Sequence, residues 1–72
     1  MANIRTSHPT SNRQRQAAVY HDLGIIAQEQ RRYDEAETNY RQALDIYQEY
    51  GDQHSAADTY SQLNTLAHRR ER

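Results

Sequence analysis

The chain contains no cysteine, tryptophan, phenylalanine or lysine, and only one proline and two glycines. Without cysteine there are no disulfides and no thiolate chemistry, so folding needs no oxidising compartment. Two glycines are too few for a phosphate-cradling loop. No apolar run approaches the length of a membrane span, and Met1–Pro9 is too polar for a signal peptide. A cytoplasmic location is expected. Hydrophobic residues make up 35% of the 72 positions, below the roughly 45–50% usual for globular domains. One small domain without a large self-contained core is the most this composition allows.

What is present is concentrated in residues 20–50. Tyr20, Leu23, Gly24 and Ala27 recur at i, i+3, i+4 and i+7, the spacing of one helical face. Ala36, Tyr40, Ala43, Leu44 and Tyr47 do the same on a second helix. The two stripes predict an antiparallel hairpin turning at Arg32–Tyr33–Asp34. Inside a helix Gly costs about 1 kcal/mol relative to Ala. Gly24 in the middle of a stripe therefore predicts close backbone approach to the second helix, near Ala36 and Tyr40.

These residues resemble a tetratricopeptide repeat. The family pattern of an aromatic, Leu-Gly, a turn ending Tyr-Asp-Glu-Ala, an aromatic and a further Ala corresponds to Tyr20, Leu23-Gly24, Tyr33-Asp34-Glu35-Ala36, Tyr40 and Ala43. Ala27 stands where a Tyr is common, and Gln48 where many members place a helix-ending Pro. The longer second helix this permits is similar to the forty-residue subclass of kinesin light chain-like and bacterial regulatory repeats.

In chain order, residues 1–11 read as a polar, flexible tail. Ser11 followed by Gln14 fits a capping box, opening a first helix over 12–31. Asp34, with Glu37 three residues on, is expected to cap a second helix over 34–50. Gly51 then supplies a left-handed stop and Asp52 caps a third helix over 53–70. That third helix repeats the first at an interval of forty residues: Ala57 matches Ala17, Tyr60 Tyr20, Leu63 Leu23, Leu66 Ile26 and Ala67 Ala27. Asn64 replaces Gly24, which predicts looser packing on its far side. The expected fold is all-α: a tetratricopeptide-type hairpin (12–50) plus the first helix of a second, incomplete repeat (51–72), an A-B-A′ arrangement.

The resemblance implies a protein–protein interaction or scaffold module that binds through the concave face of its A helices. Carried over, the partner groove comprises His21, Asp22, Ile25, Gln28 and Glu29 from the first helix. Asp58, Ser61, Gln62, Thr65, His68 and Arg69 contribute from the third. Ile25 is the strongest contact candidate, because it cannot share a buried stripe with Ile26. His21, Ile25 and Gln62 stand where chaperone-binding members hold a peptide carboxylate, so that activity is not implied.

No enzyme is expected, since no nucleophile lies near a base at a credible spacing. His54 and Asp58 are one helical turn apart, but two ligands do not make a structural metal site; no metal or cofactor is implied. Net charge is −1, unevenly spread: +3 over residues 1–33, −4 over 34–50 and zero over 51–72. Arg31, Arg32, Arg69, Arg70 and Arg72 would gather at one edge, which leaves a DNA-associated regulatory fragment as the alternative function. An incomplete repeat cannot bury its hydrophobic face alone. A homodimer through Tyr60, Leu63, Leu66 and Ala67 is therefore expected, with a marginal monomer as the alternative.

Overall fold

The computed structural model describes residues 12–71. The tail at 1–11 and the Ser11 half of the capping box lie outside the described residues. Three helices follow one another: α1 (Asn12–Glu29), α2 (Tyr33–Glu49) and α3 (Gln53–Arg70). No strand occurs among the described residues. Helix α2 packs extensively against both α1 and α3, which scarcely touch each other. The chain is thus an all-α hairpin with a third helix laid against its second member.

Both connections end their helix in the same way. Arg31 has φ 65° and Gly51 has φ 70°. Each is followed by a six-residue closing bond, Arg32 N–H to Ala27 O at 2.8 Å and Asp52 N–H to Tyr47 O at 2.8 Å. A left-handed residue at this place satisfies carbonyls that the helix end leaves without partners. Glycine adopts it freely, whereas Arg31 does so at a cost of about 1 kcal/mol or more. The first helix therefore stops at Glu29, two residues short of the predicted end.

The next difference concerns α2. The helix begins at Tyr33, its N-cap residue is Arg32, and no side chain caps it. Asp34, expected as the cap, already lies in the first turn and bonds Arg70 instead. The tight left-handed turn at Arg31 brings the chain into helical geometry before Asp34 is reached. At α3 the cap is as predicted: Asp52 accepts from Ser55 N–H at 3.1 Å, and this bond holds its carboxyl below the ordinary Asp range.

Gly24 faces Tyr40 as its spacing predicts. A β-carbon built there would lie 2.5 Å from Tyr40 Cε1, so only glycine lets the ring seat. Tyr40 is 0% exposed and forms the core with Ala27, Ala36 and Leu66, against which Ile25, Tyr33 and Leu63 are partly buried. Two expectations are corrected by this core. Leu66, assigned to an open stripe of α3, is 1% exposed, because it fills the space between α3 and the hairpin. Ile26, assigned to the buried stripe of α1, is 50% exposed, because none of the described helices lies on that side.

Candidate functional site

The surface formed by α1 and α3 on the flank away from their outer faces has a polar seam at its base. Tyr40 reaches up from α2 and donates its hydroxyl hydrogen to Gln28 Oε1 at 2.8 Å. Gln62 Oε1 lies 3.5 Å from the same hydroxyl. Burial raises the Tyr40 phenol above its ordinary pKa, as desolvation disfavours the phenolate. Thr59 is fully buried and donates to Ser55 O at 3.0 Å. Its single hydrogen is thereby used, so His21 Nδ1, 2.9 Å from Thr59 Oγ1, is the donor in that pair. The His21 ring also meets Tyr40 edge-on, with centroids 5.7 Å apart.

Three residues of the expected groove lining take part in this seam. Gln28 is buried in it, and His21 and Gln62 are half-buried with internal partners. Ile25 is half-buried, packed partly against the core. The reason is common to all four. Their side chains turn inward around Tyr40, where His21 meets Thr59, Gln28 and Gln62 meet the Tyr40 hydroxyl, and Ile25 packs on the core. Sequence periodicity places a residue on a face of its own helix but cannot show how far the neighbouring helix covers that face.

The remaining predicted residues are exposed: Asp22 and Glu29 on α1, and Asp58, Ser61, Thr65, His68 and Arg69 on α3. They form a row with unlike ends. At one end burial, and after it the charges of Asp52, Asp22 and Asp58, raise the Tyr47 phenol above its ordinary pKa. At the other end an open cleft of about 730 Å³ is lined by Arg31, Tyr33, Thr65, His68, Arg69 and Arg70. No group of acids and histidines that could hold a metal ion is found among the described residues, and no described helix is long and apolar enough to cross a membrane.

The Arg-rich edge is less basic than its composition implies. Arg70 bonds Glu37 at 2.7 Å and also pairs with Asp34, while Arg32 lies 3.7 Å from Glu35. Of the acids opening α2, Glu35 faces Arg32 at the end of the first connection, while Asp34 and Glu37 reach Arg70. Asp34 and Glu37 thereby hold the last turn of α3, an interaction that neither helix signals by itself. Hydrogen bonds from Arg41 and then Arg70 keep the Glu37 carboxyl below the ordinary Glu range. At the opposite end Arg13 joins α1 to Glu49 at 3.0 Å.

Two helices packed antiparallel through a glycine, followed by a copy of the first at a forty-residue interval, define a repeat architecture. The family model described as Tetratricopeptide repeat matches residues 15–72. The chain belongs to the tetratricopeptide repeat family. Members are non-catalytic repeats that mediate protein–protein interaction and scaffolding. No curated protein and no solved structure matches the sequence.

Proposed function

We propose that this tetratricopeptide chain is a cytoplasmic interaction module of the forty-residue subclass that binds a protein segment along the α1–α3 row, and that two copies pair through α3. The observation that carries the partner reading is the polarity of the row. Asp22 and Asp58 stand at one end, and Arg31, His68 and Arg69 stand at the other, where Glu29 offsets only part of the positive charge. Such a row favours an extended segment bearing unlike charges at its two ends, and it fixes the direction in which that segment lies. The hydrogen-bonded seam beneath the row supplies a rigid floor, which lowers the ordering cost of binding.

Affinity capture with the wild type and with Asp58→Lys and Arg69→Glu tests this reading. The expected result is a saturable, salt-tolerant protein partner lost in both variants, whose melting temperatures stay at the wild-type value. A partner retained equally by both variants would remove the row from binding. The cleft residues Arg31, His68 and Arg69 are what favour the DNA-associated alternative. Binding to random duplex that weakens steeply with salt would support it, since phosphate contacts release counterions.

A further inference from the structure

Three clefts run end to end along the seam between α2 and α3. The first is lined by Tyr47, Ala56, Ala57 and Tyr60. The second takes Tyr60 and continues through Leu63 and Asn64, with Arg41 and Leu44 opposite. The third takes Leu63 and continues to Ala67 and Arg70. Because neighbouring clefts share Tyr60 and Leu63, they form one trough from Ala57 to Arg70, about 20 Å at the helical rise of 1.5 Å per residue. That is the seat of a helix. The same register on α1 (Ala17, Tyr20, Gly24 and Ala27) is the one that receives α2.

Asn64 decides which helix fits. At the matching place on α1, even a β-carbon would stand 2.5 Å from the Tyr40 ring. Asn64 brings a whole amide side chain to that place, so an exchanged α2 from a second copy cannot seat its Tyr40 there. A swapped hairpin is therefore excluded from the seat that α2 takes on α1.

We infer that the occupant is the α3 of a second copy, antiparallel across a two-fold axis passing between Leu63 and Asn64. This deepens the pairing reading above and rests on it. Such an axis sets Tyr60 against the partner's Ala67, and Ala67 against the partner's Tyr60, so that a large side chain meets a small one twice. It also sets Leu63 against the partner's Asn64 and brings the two amides together near the axis, where a single polar pair fixes register. An isologous interface needs this kind of self-complementarity. The open face of α1 does not have it. There a two-fold axis pairing Val19 with Ile26 sets no small side chain against a large one.

Sedimentation of the full chain at tens of micromolar tests the inference with a size exchange. Tyr60 is 53% exposed and Ala67 is exposed, so substitutions there leave the single chain folded, as far-UV circular dichroism should verify. The wild type is expected to sediment as a dimer. Ala67→Tyr sets ring against ring and should weaken dimerisation by about tenfold or more, and Tyr60→Ala/Ala67→Tyr should restore most of the loss, as coupled neighbours do. Ile26→Glu should leave the dimer intact. A monomeric wild type, a double variant as weak as Ala67→Tyr, or dissociation by Ile26→Glu overturns the proposal. None of these substitutions touches the row residues Asp58, Ser61, Thr65, His68 and Arg69, which stand on a different face of α3 from Tyr60 and Ala67.

Discussion

Helices α1 and α3 are two versions of one sequence, forty residues apart, yet they bury complementary faces. On α1 the stripe of Ala17, Gly24 and Ala27 is buried and Tyr20 half-buried, while Val19, Leu23 and Ile26 are exposed. On α3 the matching stripe of Ala57, Tyr60, Asn64 and Ala67 is exposed, while Thr59 and Leu66 are buried and Leu63 half-buried. The single cause is α2, which lies on opposite sides of the two. A helix of this kind carries two apolar faces by design of the repeat. Which face becomes core depends on which side its neighbour occupies.

The largest test of this contrast uses the matched pair Leu66 and Ile26. Leu66→Ala removes a fully packed side chain and should cost about 2–5 kcal/mol. Ile26→Ala should stay within about 0.5 kcal/mol, as surface changes do. Comparable losses from denaturant unfolding would mean that the two faces are not differently buried. It follows that Leu66→Glu unfolds the chain rather than separating a dimer, and so cannot report on the interface.

A smaller effect is expected from the pair Gly24 and Asn64. Gly24→Leu forces Tyr40 from its seat and should destabilise by about 1–3 kcal/mol. Asn64→Leu, on an exposed face, should leave the isolated chain's stability nearly unchanged. Equal behaviour in thermal melts would show that α2 does not distinguish the two registers.

The smallest effect is one of pH. Glu37 is held below its ordinary pKa by Arg41 and Arg70. A depressed carboxyl stabilises the fold above its unfolded value, about 4.3 for Glu. That contribution is lost as pH falls through the lower folded value. Because Arg70 belongs to α3 and Glu37 to α2, mild acid should loosen the last turn of α3 before the α1–α2 hairpin. Amide exchange measured from pH 5 downward would show it, and Glu37→Gln should reduce the pH dependence in that turn, leaving the part that the Arg70–Asp34 pair supplies. Exposure of the pair keeps the effect small.

The hairpin, the Gly24–Tyr40 contact, the Gly51 stop, the Asp52 cap and the third helix were legible in the sequence because each rests on spacing or local chain geometry. An aromatic four residues after Ala36 and a glycine after Leu23 identify their faces wherever the helices finally lie. The left-handed Arg31 was not legible, since no local signal marks an arginine for that conformation. Nor was the base of the row. His21, Ile25, Gln28 and Gln62 occupy the predicted face of their own helices, but their contacts with Thr59, Tyr40 and the core decide that they are partly closed in. Arg70 likewise could be placed at a helix end from its position, though only the packing of α3 on α2 brings it to Asp34 and Glu37. Local propensity and periodicity are properties of a few neighbouring residues and can be read from them. Burial is a property of two surfaces at once, so the sequence determined the faces of this protein and the tertiary structure determined which of them are covered.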